Sequence, residues 1–234
     1  MIDVRERDAT SVRKHTYVRP AIGPRIVSVG TATPPRCYTQ DEVLDLFHES
    51  DPRLRRLFRN SHIKCRYLYL PEAEEGGRIP DENNQALIDK HLRGALEIGP
   101  QAIEDCLNPL GLAPHDIDML CCMSSTGFLC PGLSAHLIKK LGFRENVRRV
   151  DILGMGCNAA MNGLQTISAF SKSNPGKLAV LLCIEICSAA YVYSSKMSTA
   201  VVNSLFGDGA AAVLMCTEQA SSMVRGPIIE DFEP

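Results

Sequence analysis

Apolar runs of strand length alternate with stretches of helical periodicity, and this alternation constrains the fold more than any other feature of the chain. Segments 117–125, 177–185 and 209–215 are apolar almost throughout, whereas 133–142 and 198–206 repeat apolar residues at helical spacing. Strands that are apolar on both faces are typical of a sheet that helices cover on both sides. The sequence therefore predicts an α/β fold.

Cys157 lies at one of the predicted strand-to-helix junctions, in the sequence VDILGMGCNAAMNGL. The pattern predicts a buried strand over Val150–Leu153 and a helix from Asn158 onward, with Gly154 and Gly156 permitting a sharp turn between them. A thiol at a helix N-terminus is favoured in its anionic, nucleophilic form, because unpaired N–H groups point at it. A buried structural cysteine is the alternative, since most free cysteines are buried.

Local sequence patterns predict several further elements of the fold. Residues 1–20 are polar and charged and predict a flexible N-terminal arm. Thr39 followed by Glu42 forms a capping-box pattern. The composition of 71–83 is that of a loop, and a long helix is expected over 84–107, with a kink or break where Gly99 precedes Pro100.

Composition and charge exclude several classes of protein. With 25 basic and 27 acidic residues there is no global positive field to hold nucleic acid. The sequence predicts neither a membrane span nor a secretory signal. The ten cysteines form no CxxC pair and have no metal-site spacing, so no metal is expected and a cytoplasmic protein with reduced thiols fits best.

Six motifs occur in the order found in one known family. They are GPRIVSVGTATPP, KCRYLYL, SSTGFLCPGLSAHLIKKLGFRENVRRV, GMGCNAAMNGL, NPGKLAVLLCIEIC and SLFGDGAAAVLM. From about Gly23 to Met215 the chain resembles the chalcone-synthase-like (type III) polyketide synthases. Within that family, GMGCNAAMN, CSAAYV and STAVVNSLFGDGAAAV are most similar to the bacterial 3,5-dihydroxyphenylacetyl-CoA synthases of glycopeptide-antibiotic pathways.

The resemblance implies a thiolase-like fold, in which two duplicated halves form a layered αβαβα core that pairs as a homodimer. Residues 21–234 then correspond to the N-terminal domain, and the C-terminal domain lies outside this chain. The implied chemistry loads an acyl group from CoA onto Cys157 and condenses malonyl-CoA units onto it by decarboxylation. The implied partners are malonyl-CoA and acyl-CoA thioesters, with no separate cofactor.

The resemblance also carries roles to particular residues of the cavity. Cys157 is the nucleophile, and Phe206 matches the gatekeeper that separates the CoA tunnel from the reaction cavity. Glu185 and Ala190 align with cavity-lining positions. Cys130 stands where plant enzymes have a methionine that crosses the dimer interface into the partner's cavity.

Two arginines match positions that hold CoA phosphates in the family, Arg53 and Arg56. An i, i+3 pair of cations on one helix face suits a diphosphate, although a solvated charged face is the alternative. The third family position holds Asn60 here. The family also uses a histidine and an asparagine from its second half, and none of the six histidines of this chain matches that catalytic position.

The resemblance therefore implies a type III polyketide synthase of antibiotic biosynthesis whose preferred product is 3,5-dihydroxyphenylacetyl-CoA. One alternative is another type III synthase that makes a pyrone or a resorcinol. A ketoacyl synthase III is a further enzymatic alternative. An alternative of another class is a non-catalytic thiolase-like half that serves as a dimerisation subunit.

Overall fold

The computed structural model describes residues 23–190, 193–194, 196–217 and 226–232, so the predicted arm over 1–20 lies outside the described residues. The regular elements follow one another along the chain in this order: β1 (Pro24–Ala32), β2 (Cys37–Thr39), α1 (Gln40–Leu46), α2 (Pro52–Arg59), β3 (Cys65–Tyr67), α3 (Asn84–Leu107), β4 (Met119–Ser124), α4 (Leu133–Leu141), β5 (Arg148–Leu153), α5 (Ala159–Ser173), β6 (Ala179–Glu185), α6 (Met197–Leu205) and β7 (Gly209–Thr217).

Five of the strands form one mixed sheet in the order β1-β7-β6-β4-β5. The central strand β4 runs parallel to both β5 and β6, whereas β7 is antiparallel to β6 and β1. Helices α3 and α4 pack on one face of the sheet and α5 packs on the other. The predicted α/β sheet with helices on both faces is therefore confirmed.

The central strands show why their sequences are apolar on both faces. All six residues of β4 are buried. Leu120 and Cys122 pack in the cluster that contains α3 and α4, whereas Cys121 and Met123 pack with α5. Alternate side chains of one strand thus enter two different cores, because successive side chains of a strand point to opposite faces.

Strand β5 corrects one prediction. A strand forms over Val150–Leu153, but all four residues are only half-buried. The reason is topological, since β5 is at the edge of the sheet and pairs with β4 alone among the described strands. Val150 and Ile152 pack against the core on the α5 side.

Helix α3 forms over the predicted range and continues through Pro100 to Leu107, so the predicted alternative of a break at Pro100 is wrong. Gly99 and Pro100 are both buried against the sheet, and a Cβ placed on Gly99 would lie 3.3 Å from Cδ1 of Ile184. Proline removes one hydrogen bond from the helix ladder, but burial of the apolar face of a long helix offsets that loss.

A second, smaller layer stands beside the main sheet. Strands β2 and β3 form an antiparallel pair, and helices α1 and α2 pack with them around a core that includes Leu44, Leu54 and Phe58. The predicted capping box at Thr39 is present, with the side chain of Glu42 accepting from the Thr39 amide. Helix α2 also contacts α6, so this layer reaches the end of the main sheet where α6 lies.

The predicted loop over 71–83 is confirmed. Helix α4 ends at Gly142, which adopts the left-handed conformation at φ 68°. Within the described residues, no helix combines the length and apolar character that crossing a membrane requires.

Gly30 allows α3 to approach β1 closely, and this contact gives a stability prediction. A Cβ at Gly30 would lie 2.2 Å from the amide nitrogen of Cys106 and 2.3 Å from the carbonyl oxygen of Ala102. Both are backbone atoms of a packed helix, so Gly30→Ala is expected to reduce the free energy of unfolding by about 3 kcal/mol. The measurement is chemical denaturation of the full-length protein.

Gly209 supplies the matched control, because it also lies in the sheet and a Cβ there would approach no closer than 3.9 Å to the Ala32 carbonyl oxygen. Gly209→Ala is expected to change the free energy of unfolding by no more than about 0.5 kcal/mol. Equal destabilisation by the two substitutions would contradict the proposed clash.

Candidate active site

Cys157 sits on a tight turn between β5 and α5. Gly154 and Gly156 have φ angles of 71° and 64°, in the left-handed region that favours glycine. A single 3-10 turn, Gly156–Asn158, leads directly into α5. The predicted strand–turn–helix arrangement is confirmed, and the Cys157 side chain is exposed rather than buried.

The start of α5 follows directly on the 3-10 turn that contains Cys157, and the Ala159 amide donates to the Gly156 carbonyl oxygen. Asn158 occupies the N-cap position, but its side chain makes no capping hydrogen bond to the first turn. The first amides of a helix have no partner within the helix and, together with the helix dipole, favour negative charge. Cys157 lies in the turn immediately before this helix end.

The Cys157 side chain lines a cavity of about 320 Å³. Glu185, Ala190 and Phe206 line the same cavity, so the structure brings together four residues that the sequence analysis assigned to the site. Those four come from the turn before α5, the end of β6, the segment after β6 and the end of α6. The other lining residues are Met123, Ser125, Thr126, Gly156, Cys187, Val202 and Asn203.

Ser125 forms hydrogen bonds both to the carboxylate of Glu185 and to the turn that contains Cys157. Its amide donates to both carboxylate oxygens of Glu185, at 2.8 and 3.0 Å. Its hydroxyl donates to the carbonyl oxygen of Gly156 at 3.1 Å. The sequence analysis did not single out Ser125, although it lies in the SSTGFLCPG motif, because these contacts join residues 31 and 60 positions apart.

The second thiol of the cavity differs from Cys157 in its surroundings. Cys187 is half-buried, and burial together with the nearby carboxylates of Asp208 and Glu185 raises its pKa to about 12. Cys187 is therefore a neutral thiol near pH 7, whereas a thiolate is the form that attacks a carbonyl. Cys157 is the exposed thiol of this cavity.

The turn after α6 is held by a buried carboxylate. Asp208 accepts from the Ser188 amide at 2.8 Å, from the Ser188 hydroxyl at 2.5 Å and from the Tyr69 amide at 2.8 Å. Burial raises the pKa of Asp208 against these lowering hydrogen bonds. Asp208 is absent from the cavity lining, and these bonds indicate that it is a structural residue of the turn.

Arg53 and Arg56 lie one helical turn apart on α2 and are both exposed. The guanidinium of Arg53 is paired with Asp51 at 2.9 Å, and its hydrogen bonds hold the pKa of that carboxyl below its usual value. Arg55 and Arg59 are paired with Asp41. Among the described residues, Arg56 is the α2 arginine with no carboxylate within salt-bridge distance.

Cys130 is exposed and does not line the cavity that contains Cys157. The expectation for Cys130 concerned a partner's cavity, so it stays a prediction.

None of the five described histidines lines the cavity of Cys157, and His15 lies outside the described residues. His62 is exposed, and His136 is half-buried on α4. His91 is 2% exposed and lines a separate cavity of about 70 Å³, and burial lowers its pKa. The described residues therefore bring the Cys157 thiol and the Glu185 carboxylate to one cavity, but no imidazole.

Comparison with known proteins places this site in a family. The family model described as "Chalcone and stilbene synthases, N-terminal domain" matches residues 12–219. The 3,5-dihydroxyphenylacetyl-CoA synthase of Streptomyces toyocaensis is 50% identical over 82% of this chain and 49% of its own length. The enzyme of the same name from Amycolatopsis balhimycina is 46% identical over 89% of this chain and 55% of its own.

Solved structures agree with this assignment. PKS-I from the brown alga Ectocarpus siliculosus has a TM-score of 0.73 at 30% identity, covering 86% of this chain and 58% of that one. The 1,3,6,8-tetrahydroxynaphthalene synthase of Streptomyces coelicolor A3(2), a bacterial type III polyketide synthase, has a TM-score of 0.71 at 25% identity, covering 81% and 56%. The chain spans about half the length of the curated relatives it matches. It belongs to the chalcone and stilbene synthase family and carries the N-terminal domain of that family.

Proposed function

We propose that the full-length protein is a type III polyketide synthase that condenses malonyl-CoA on Cys157, with 3,5-dihydroxyphenylacetyl-CoA as its product in antibiotic biosynthesis. The observation that carries the proposal is the exposed Cys157 thiol, which lines one cavity with Glu185, Ala190 and Phe206. The relatives that are 45–50% identical and bear the name of that synthase support the choice of product.

The chemistry follows from the nucleophile. The Cys157 sulfur attacks the carbonyl carbon of an acyl-CoA, a new C–S bond forms, and the CoA thiolate leaves. A malonyl-CoA then loses CO₂, and the electron pair of the broken C–C bond forms an enolate. The enolate carbon attacks the thioester on Cys157, which makes the new C–C bond and releases the Cys157 thiolate.

Both steps develop negative charge that must be stabilised. The N-terminus of α5 supports the thiolate of Cys157, and stabilising the enolate oxygen needs hydrogen-bond donors aimed at it. No described histidine reaches the cavity, so we propose that the family's histidine and asparagine come from sequence outside the described residues.

The cavity residues then have separate roles. Phe206 would separate the CoA entrance from the reaction cavity, and Glu185 and Ala190 would line the space in which the growing chain folds. Cys130 would reach the cavity of the partner in a homodimer. The outer side of β5, which no described strand covers, is consistent with a second copy at that edge.

Two further parts of the proposal rest on composition and chemistry. The ten cysteines form no CxxC pair, and reduced thiols of this kind support a cytoplasmic location. No cofactor beyond the CoA thioester substrates is needed, because decarboxylation of malonyl-CoA supplies the carbon nucleophile.

The test of the proposed function is incubation of the full-length protein with malonyl-CoA as the single substrate, followed by mass spectrometry against authentic 3,5-dihydroxyphenylacetyl-CoA. The proposal expects that product, with release of CO₂ and CoA. A pyrone or a resorcinol would assign another type III activity. In a parallel incubation with an acyl-CoA and a malonyl-acyl carrier protein, a single condensation would indicate a ketoacyl synthase III. No turnover in either incubation would favour a non-catalytic subunit.

Arg53 and Arg56 are proposed to hold the phosphates of CoA. Replacing both with alanine is expected to raise KM for malonyl-CoA about tenfold, because two charge-assisted contacts are lost. Turnover of a malonyl N-acetylcysteamine thioester, which lacks those phosphates, is expected to stay nearly unchanged. The measurement is steady-state kinetics with both substrates.

The single variants refine this prediction. Arg56→Ala is expected to have the larger effect, since Arg53 is already paired with Asp51. Arg59→Ala serves as the matched control on the same helix, because Arg59 is paired with Asp41. Equal losses with both substrates would show that the arginines support the fold instead.

A further inference from the structure

The backbone around Phe206 is anchored by side chains from outside its own helix. Helix α6 ends at Leu205, and its last carbonyl groups have no partner within the helix. The side-chain amide of Gln40 donates through Nε2 to the Ser204 carbonyl oxygen at 2.8 Å. The guanidinium of Arg66 donates to the Phe206 carbonyl oxygen, also at 2.8 Å.

The two anchoring side chains are bound to each other. Arg66 donates through its second terminal nitrogen to the side-chain oxygen of Gln40 at 2.9 Å. Both side chains are buried, with 5% of Arg66 and 6% of Gln40 exposed. A guanidinium has a planar, fixed set of donors, so it holds two acceptors in a defined relative position, whereas an ammonium does not.

The neighbouring backbone strengthens this anchor. The amide of Asp208 donates to the carbonyl oxygen of Tyr67 at 2.8 Å, so adjacent residues of β3 hold Phe206 and Asp208. The Arg66 guanidinium also lies 5.9 Å from the ring centre of Phe58, on the buried side of α2. One side chain thus contacts both the helix that carries Arg53 and the segment that carries Phe206.

Phe206 itself has little core packing to fix its ring. Its side chain lines the cavity of Cys157, and 44% of the residue is exposed. A side chain that is half in solvent takes its position mainly from the backbone that bears it. The hydrogen bonds to the backbone of residues 204–208 therefore determine the point and the direction from which the ring leaves the main chain.

We propose that Arg66, together with Gln40, is a positioning residue that fixes the Phe206 ring at the mouth of the cavity and thereby sets which chain lengths are released. The proposal rests on the proposed function, because it takes Phe206 to separate the CoA entrance from the reaction cavity. Arg66 acts through Phe206 and does not contact the reacting atoms.

The first test measures how firmly the backbone of residues 203–208 is held, and it does not depend on enzymatic activity. Hydrogen exchange of the full-length protein is followed by mass spectrometry on peptides that cover residues 203–208. Arg66→Lys is expected to speed exchange there about tenfold, because one buried charge-assisted hydrogen bond is lost. Gln40→Glu serves as a second variant, since it keeps the acceptor for Arg66 but removes the donor to Ser204.

Arg144→Lys is the matched control. Arg144 also donates to a backbone carbonyl, that of Ile117 at 3.1 Å, and it is paired with Asp118. It lies before β5, away from α6, so its replacement is expected to leave exchange at 203–208 unchanged.

The second test measures the effect of Arg66 on the lengths of the released products. Arg66→Lys is expected to raise the fraction of prematurely released short products about threefold, while the rate of Cys157 acylation changes less than twofold. In a Phe206→Ala background the same substitution is expected to change the product distribution no further, because the ring that it positions is absent.

The outcomes separate the two proposals. Unchanged exchange at 203–208 in both the Arg66 and the Gln40 variants would overturn the anchor, whatever the activity. Faster exchange with an unchanged product distribution, or an equal product effect with and without the Phe206 ring, would overturn the positioning role. If the wild-type protein makes no polyketide while exchange is faster in the variants, the proposed function fails, and with it the role in chain release.

Discussion

Cys157→Ala in the full-length protein is expected to abolish the acyl-enzyme and to reduce polyketide formation by at least about 10³-fold, because the proposed mechanism carries the acyl chain on that sulfur. The structure supports this expectation because Cys157 is exposed in the cavity, in the turn before α5. The measurement is protein-bound label after incubation with radiolabelled malonyl-CoA, together with the steady-state rate of product formation.

Cys187 makes this test specific to one sulfur, because it lines the same cavity. Burial raises its pKa to about 12, so it remains a neutral thiol under assay conditions. Cys187→Ala is expected to retain bound label. Wild-type labelling of the Cys157→Ala protein, or loss of label only in the Cys187 variant, would show that Cys157 is not the acylation site.

The parts of the fold that follow from local sequence were predictable. The strand–turn–helix around Cys157, the capping box at Thr39 and the left-handed end of α4 at Gly142 each depend on residues within a few positions of one another. The identity of the core strands was predictable because β4 and β6 are buried on both faces, which leaves a continuous apolar run.

The parts that failed depend on how distant segments meet. Burial of β5 depends on its place at the edge of the sheet, and strand order is not encoded in the strand itself. The continuity of α3 through Pro100 depends on packing against the sheet, which outweighed the local breaking signal. In both cases tertiary packing gave a result that differs from the one the local sequence pattern predicts.

Only part of the candidate site could be predicted from the sequence, for the same reason. Glu185, Ala190 and Phe206 were assigned from the resemblance, and the structure places them in one cavity with Cys157. The contacts of Ser125 with Glu185 and Gly156, and of Arg66 with Gln40 and Phe206, join residues 26 to 140 positions apart. No motif marks such pairs in a single sequence.

The cavity is open on a side where apolar side chains face solvent. Large apolar residues exposed by 43% to 52% occur in the turn before α5, on α5 and along α6: Met155, Met161, Met197, Val202, Leu205 and Phe206. Among the small residues of α5, Ala159 is buried in this chain's own core and a Cβ on Gly163 would lie 2.5 Å from Leu181. Val202 and Phe206 line the cavity, whereas other exposed apolar side chains, such as Phe128 at 72% and Val29 at 55%, lie outside its lining.

The purified 234-residue chain is accordingly expected to aggregate or to bind a hydrophobic dye strongly, because soluble monomers seldom expose contiguous apolar surface of this kind. It is also expected to release no CoA from malonyl-CoA, because no described imidazole reaches Cys157 to support the thiolate and the enolate. The measurements are size-exclusion chromatography, dye fluorescence and a CoA-release assay, with the full-length protein as the control.

Co-expression with a separate chain that carries the family's C-terminal domain is expected to restore solubility and part of the CoA release, because that domain would cover the apolar surface and bring the histidine and asparagine to Cys157. The same co-expression with Cys157→Ala should restore solubility without restoring CoA release, which separates the structural effect from the catalytic one. A monodisperse 234-residue protein that unfolds cooperatively and turns over malonyl-CoA alone would contradict this view. It would mean that a histidine of this chain completes the site.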